Sequence, residues 1–253
     1  MNMRQSPAPT SAASSQRNVL GVATSPLAIA DLAIEWEEIV ERSNDLDIFV
    51  SPSWMMLWYE TIMSDRDQPA VVWVKTSHGR LAGVLPLVRR RQYFGPVPCT
   101  LYESAGDAVV CGDHLGLVSS ESDFPSVYEE VRGWLLAQAD AGALVRLVAL
   151  DELGRFATSL RRDVEECAVR WRYVVPKIAP RLSLPSSYEA YERLLNPKRR
   201  KLIRRNWRHL QRDHGATVCC NDATVPLKSV LDEWLALHDS LWASRKRRTS
   251  LED

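Results

Sequence analysis

The sequence has few of the features that mark a metal site, a disulfide scaffold or a membrane protein. Its five cysteines are odd in number and no Cys-x-x-Cys pair occurs, which disfavours thiolate metal sites and a disulfide framework. No apolar run approaches the roughly 20 residues that a membrane helix needs. The formal net charge is zero. These absences predict a reduced, cytoplasmic protein with no metal and no membrane span.

What is present is ordinary for a globular chain. Of the 253 residues, 45% are apolar and 25% are charged, which predicts one large or two small domains. Residues 1–26 are rich in Ser, Ala, Pro and Thr and read as a disordered leader rather than a signal peptide. We therefore expect a main domain over 27–185 and a second segment over 186–253.

Positive charge is concentrated in that second segment. Residues 195–248 hold 13 Lys and Arg against 5 Asp and Glu, whereas residues 1–194 hold 19 against 25. An acidic body thus precedes a basic segment, and the two can neutralise each other.

The basic segment contains a well-marked helix, predicted over 197–213. Asn196 is a preferred N-cap, Pro197 suits the first helical position, and Gly215 provides a stop. One apolar stripe is expected, made of Ile203, Trp207 and Leu210. We expect Trp207 to be buried on this stripe.

The first turns of this helix carry six cations: Lys198, Arg199, Arg200, Lys201, Arg204 and Arg205. Like charges four residues apart repel, and the helix dipole is already positive at its start. Three interpretations remain open: a solvated face, an acidic partner within the protein, or an anionic ligand. A helix start with free N–H groups and nearby cations is suited to phosphate.

The rest of the pattern predicts a mixed α/β or α+β layered domain. Helices come first, then period-two strands joined by a turn at His78-Gly79, then a helix, a strand, a helix and a strand. Pro86 places its strand at an edge or at a bulge. The last helix begins near Pro226 and carries a long apolar row that needs a cover.

Five segments then occur in an order that resembles a known family. They are FVSPSWMMLWYETI, GRLAGVLPLVRRR, ESAGDAVVCGDHLGL, SYEAYERLLNPKRRKLIRRNWRHLQRDHG and LDEWLALHDSLWASR. Together they resemble the CelD-like acyltransferases linked to cellulose biosynthesis, which belong to the GNAT superfamily and are similar to the FemAB aminoacyltransferases. The resemblance covers about residues 27–248.

This resemblance implies a GNAT-like mixed sheet flanked by helices, followed by the start of a second GNAT-like unit. It also implies transfer of an acetyl or other acyl group from acyl-CoA to an amine or hydroxyl. The acceptor would be a small molecule or a polysaccharide or peptidoglycan precursor. The family's second GNAT half and its Gln/Arg-x-x-Gly-x-Gly/Ala phosphate loop are not found in these residues. We therefore expect the front part of such an enzyme, either active or inactive.

The resemblance places Asp113 and His114 where the family often carries an acidic residue, so either is a candidate general base. The alternative is that the pair only caps a turn. Cys111 beside His114 could also suggest a thiol nucleophile, but inert packing is the simpler interpretation. The six cations of the basic helix are the candidate CoA contacts.

Two other functions are weighed against acyl transfer. The basic helix could contact tRNA or another nucleic acid, with Trp207 stacking on a base; the expected burial of Trp207 and the lack of a known nucleic-acid motif disfavour this. The chain could also be a non-catalytic remnant that binds a partner through its last helix.

Overall fold

The computed structural model describes residues 17–43, 48–106, 112–166, 182–218 and 225–244. The chain divides into two compact units, Met1–Val174 and Val175–Asp253. The elements of the first unit are β1 (Val19–Ala23), α1 (Pro26–Arg42), a short 3-10 helix (Ile48–Val50), α2 (Pro52–Thr61), β2 (Gln68–Lys75), β3 (Leu81–Phe94), β4 (Val97–Ser104), β5 (Val118–Ser119), α3 (Phe124–Asp140), β6 (Leu144–Arg146) and α4 (Arg155–Glu166).

A mixed sheet organises this unit. Its strands run in the order β1-β2-β3-β4-β6, and β5 pairs with β3 beside this path. The first four strands are antiparallel, whereas β6 runs parallel to β4. A parallel neighbour requires a long crossover, and the segment between β4 and β6, which includes α3, provides it. The predicted mixed α+β class with a sheet flanked by helices is confirmed.

Each face of the sheet carries its own hydrophobic core. One core joins Trp36 of α1 and Met55 of α2 to strand residues such as Val71 and Val84. The other joins Val131 and other α3 residues to the opposite face.

Buried polar groups in the first core are satisfied by backbone carbonyls. Trp36 Nε1 donates to Val50 O at 2.9 Å, and the Tyr59 hydroxyl donates to Leu87 O at 2.9 Å. Burial raises the pKa of Tyr59, so its hydroxyl stays protonated and remains a donor. These bonds fix the two helices against the sheet.

The predicted leader 1–26 extends too far into the chain. Val19–Ala23 forms the edge strand β1, which pairs with β2 from Val19↔Lys75 to Ala23↔Val71. Helix α1 then begins at Pro26, capped by the Ser25 hydroxyl. The sequence analysis did not predict β1, because this strand is stabilised by pairing with a strand about 50 residues away rather than by its local composition. Residues 1–16 lie outside the described residues.

The hairpin predicted at His78-Gly79 is present. Gly79 has φ +83°, and its N–H donates to Thr76 O at 2.9 Å. Next to the turn, the Arg80 guanidinium donates two hydrogen bonds, of 2.9 and 3.0 Å, to the Asp123 carboxylate. This ion pair lowers the pKa of Asp123. The ion pair links the hairpin to the start of α3.

Of the two alternatives predicted for the strand of Pro86, the edge position is wrong, because β3 lies inside the sheet. The other alternative, a bulge, agrees with the register shift of the β2–β3 pair between Val74 and Lys75. Pro86 pairs with Val71 of β2 on one side. On the other side, β4 pairing ends at Leu87 and β5 pairing begins at Val84. Pro86 thus lies at the changeover between two partners, where a missing N–H breaks no ladder bond.

The second unit is helical in its described part, with α5 (Tyr188–Leu194), α6 (Pro197–His214) and α7 (Leu227–Ser244). Helix α6 confirms the predicted caps: Asn196 Oδ1 accepts from Arg199 N at 2.8 Å, and Gly215 has φ +57°. The apolar row of α7 is exposed, including Trp234 and Leu241. The strands predicted near 169–184 and 216–223 lie largely outside the described residues, and the second GNAT-like unit stays a prediction.

Two glycines give a matched test of the packing between β3 and α3. A Cβ on Gly83 would lie 2.4 Å from Val127 Cγ1, whereas a Cβ on the exposed Gly133 of α3 would meet nothing within 4 Å. We expect Gly83→Ala to lower the free energy of unfolding by about 1–3 kcal/mol through overpacking. We expect Gly133→Ala to raise it by about 0.5–1 kcal/mol because alanine favours the helix. Urea denaturation measures both, and equal stability of Gly83→Ala and the parent would contradict this packing.

Candidate functional site

The carboxyl ends of the parallel strands β4 and β6 form the first candidate site. Their ladder ends at the pair Glu103↔Arg146. One residue later the buried Ser104 bridges the strands, because its hydroxyl accepts a hydrogen bond from Val148 N at 3.1 Å. In open sheets with parallel strands, ligands commonly bind beyond these carboxyl ends.

Two glycines flank residues 107–111, which lie outside the described residues, and they are hydrogen-bonded to each other. Gly106 has φ +93°, and Gly112 N donates to Gly106 O at 3.1 Å. A Cβ at Gly112 would lie 2.4 Å from that same oxygen, so only glycine fits there. Beyond Gly112, Leu115 N donates to Ala149 O at 3.0 Å. The segment after β4 is therefore anchored at both the β4 and β6 ends.

Asp113 and His114 lie between these two anchors. Both are exposed, and His114 has φ +53° in the left-handed region. Neither residue directly flanks a strand. The segment HLGLVS has the pattern of a strand, but the strand that forms there, β5, is limited to Val118–Ser119. The anchors nevertheless hold the pair near the carboxyl ends of β4 and β6. Cys111 lies outside the described residues.

Glu103 is a buried charged residue that the sequence analysis missed. Its carboxylate lies among strand residues of β4 and is 5% exposed. Arg90 contacts Oε2 at 3.2 Å, and Arg146 contacts Oε1. Arg90 also lies 3.5 Å from Asp67. Both oxygens of Glu103 are occupied by guanidinium groups, which favours a role in charge balance over one as a proton acceptor. The sequence signal that could have revealed this cluster was the acidic residue Glu103 on the strand that follows the basic run Arg89–Arg91.

In the second unit, two of the six predicted anion ligands are engaged internally. Arg204 forms a two-pronged ion pair with Glu192 of α5, with Nε donating to Oε1 at 2.8 Å and Nη2 to Oε2. This pair lowers the pKa of Glu192 and raises that of Arg204. Arg200 Nη2 donates to Leu195 O at 3.1 Å. An acidic partner within the protein therefore accounts for Arg204.

The amides at the start of α6 are also largely used. Pro197 has no N–H, Arg199 N donates to the Asn196 side chain, and Arg200 N donates to Asn196 O at 3.0 Å. The amide of Lys198 is left without a partner among the described residues. Any anion here would therefore bind mainly through side chains, and the exposed ones are Lys198, Arg199, Lys201 and Arg205.

The expected burial of Trp207 is wrong, since its side chain is 42% exposed. The stripe that it shares with Leu210 is half-exposed on α6, so the helical spacing identified the stripe but not a cover for it.

Across the described ranges, no group of three or more His, Cys, Asp or Glu side chains could hold a metal ion. In the same part of the chain, none of the helices has the length and hydropathy required to cross a membrane.

Comparisons with known proteins add structural similarities. No protein-family model matches the chain, and no curated protein matches it. Similar solved structures include the aminoglycoside acetyltransferase meta-AAC0020 from an uncultured soil metagenomic sample, with 11% identity, TM-score 0.36, and coverage of 65% of this chain and 97% of that chain. Another is the aminoglycoside 6'-N-acetyltransferase AAC(6')-Ih from Acinetobacter baumannii, with 10% identity, TM-score 0.34 and coverage of 64% and 99%.

A possible acetyltransferase from Clostridium difficile 630 is also similar, with 5% identity, TM-score 0.34, and coverage of 65% of this chain and 99% of that chain. These superpositions are loose, so the fold class stated above rests on the order and direction of the strands themselves.

The pair Glu192–Arg204 predicts a measurable titration. We expect the pKa of Glu192 to lie below its ordinary value and to rise towards that value in Arg204→Gln. Because the folded pKa is the lower one, the pair stabilises the fold above the unfolded pKa of about 4.3. That contribution is lost as pH falls through the folded pKa. Carboxyl carbon chemical shifts measure the titration, and Arg208→Gln serves as the control. An unchanged Glu192 titration in Arg204→Gln would contradict the pairing.

Proposed function

We propose that this protein is a GNAT-type acyltransferase that moves an acetyl or other acyl group from acyl-CoA to an amine or hydroxyl. The observation that carries the proposal is the β4–β6 end: a parallel pair bridged by Ser104 and Val148, with Asp113 and His114 held beside it. The mixed sheet agrees with the fold that the five-segment resemblance implies.

The chemistry assigns Asp113 or His114 the task of accepting a proton. In direct transfer, the acceptor nitrogen or oxygen forms a bond to the thioester carbonyl carbon. The carbon–sulfur bond then breaks and the CoA thiolate leaves, while the proton of the nucleophile passes to the base. Both candidate side chains are exposed, so either can take that proton directly or through water.

A second part of the proposal concerns the second unit by itself: the exposed cations of α6 contact phosphate groups of an acyl-CoA. Lys198, Arg199, Lys201 and Arg205 provide these contacts. Arg200 and Arg204 support them by fixing α6 against the end of α5 through Leu195 and Glu192. If the phosphates are bound by flexible side-chain cations rather than by backbone N–H groups, the binding free energy of acyl-CoA should depend strongly on the salt concentration.

The acceptor follows from the CelD-like resemblance alone. We propose a hydroxyl or amine on a small molecule or on a polysaccharide or peptidoglycan precursor, in cell-envelope or exopolysaccharide (cellulose) biosynthesis.

One observation favours a second candidate function. The exposed Trp207 lies on the same helix as the free cations, and an aromatic ring beside cations can stack on a base of single-stranded nucleic acid. A contact with tRNA is therefore the alternative function that the experiment must distinguish from acyl transfer.

Calorimetry on the chain, with acetyl-CoA and with tRNA as ligands, tests the proposal. We expect acetyl-CoA to bind and Lys201→Gln plus Arg205→Gln to weaken its binding about tenfold, or about 1.4 kcal/mol. Arg162→Gln on the exposed surface of α4 is the charge-matched control and should change nothing. We expect His114→Ala combined with Asp113→Asn to lower release of the CoA thiol about 100-fold or more, with binding unchanged.

Three outcomes would count against the proposal. Binding of tRNA but not of acetyl-CoA would favour the nucleic-acid contact. Binding of neither, together with self-association that substitutions in α7 abolish, would favour a partner-binding remnant. Full activity of the double variant would remove Asp113 and His114 from the chemistry.

A further inference from the structure

A cavity of about 440 Å³ lies where β2 and β4 begin and along the second half of β3, away from Ser104. Four arginines line it, namely Arg66, Arg89, Arg90 and Arg91, together with Gln68 and Thr100. Three of these arginines come from the second half of β3, where Arg91 pairs with Thr100 of β4. From Cys99 on the cavity wall to Ser104 is five residues of β4, or about 17 Å at strand spacing.

The charges around this cavity are not balanced. Arg90 is paired with Asp67 and Glu103, yet its Nε is buried without a hydrogen-bond partner. Arg89 donates to the amide oxygen of Gln68 at 3.3 Å, and this contact supplies no negative charge. Within the described ranges, the Arg66 and Arg91 guanidinium groups have no carboxylate partner, and Arg91 lies 5.5 Å from the centre of the Tyr93 ring.

Across the described ranges, none of the exposed Arg66, Arg89 and Arg91 side chains has a carboxylate partner, and an anion bound among them would lower their mutual repulsion. Guanidinium groups bind phosphate oxygens through paired N–H donors, with a geometry that lysine does not offer. The volume is in the range of small-molecule sites, which run from about 300 to 1,000 Å³. The cavity therefore matches a compact ligand with two to four negative charges.

We propose that this cavity binds the phosphate groups of a small molecule, with Arg66, Arg89 and Arg91 as the binding residues. Arg90 holds the floor of the cavity through its ion pairs with Asp67 and Glu103. All of its lining residues come from β2, β3, β4 and the loop before β2, within the first unit. The phosphate-bearing ligand can be the acyl acceptor or the CoA itself.

Calorimetry with inorganic pyrophosphate tests the site without any need for enzymatic turnover. We expect pyrophosphate to bind, and Arg66→Gln and Arg91→Gln each to weaken it about tenfold. Binding should also weaken as salt is added. Arg162→Gln, on the exposed surface of α4, is the charge-matched control and should leave pyrophosphate binding unchanged. An unaltered thermal unfolding midpoint shows that each variant is folded, since neither Arg66 nor Arg91 makes an ion pair in the described residues.

A parallel titration with acetyl-CoA identifies the source of the phosphate. Weaker acetyl-CoA binding in Arg66→Gln and Arg91→Gln would assign the cavity to CoA, and unchanged binding would assign it to a phosphorylated second substrate. Both results support the site. Pyrophosphate binding that is absent, or equal in the parent and both variants, would overturn it. So would an oligonucleotide that binds through Arg66 and Arg91 when pyrophosphate does not bind.

Discussion

The long strand β3 pairs through its backbone with three neighbours, and the other features of the first unit depend on that pairing. It pairs with β2 from Leu81 to Arg89 on one side, while β5 and β4 share its other side. Residues 81–88 are buried on both faces, so they form part of two hydrophobic cores at once. Only because β3 holds β4 in place can β4 accept β6 as a parallel neighbour and present Ser104 beside Val148.

Sequence patterns predicted those features that depend on neighbouring residues. The hairpin at Gly79, the capped helix that starts at Asn196, and the mixed α+β class all follow from turn residues, caps and hydrophobic period. Edge strand β1 was missed because a five-residue strand gains its stability from a distant partner. Pro86 was misplaced for a related reason: its changeover position exists only after β4 and β5 have both joined β3.

The candidate sites depend on contacts that no local pattern encodes. Ser104 meets Val148 across 44 residues, and Glu103 meets Arg90 and Arg146 only after three strands align. The sequence did place Asp113 and His114 in the segment after β4, but not the anchors that hold them. The six cations of α6 are visible in the sequence, whereas the ion pair between Glu192 and Arg204 is not, because it forms only when α5 packs against α6.

The two halves of β3 differ sharply in what a substitution there would disturb. From Leu81 to Val88 the side chains are fully enclosed, and only volume-matched apolar replacements would keep the interior filled. At Arg89 and Arg91 the side chains are exposed, and the backbone ladder to β4 requires no particular side chain there, whereas Arg90 between them pairs with Asp67 and the buried Glu103. Evolution can therefore alter ligand preference through these two exposed positions while the enclosed half of β3 keeps its packing.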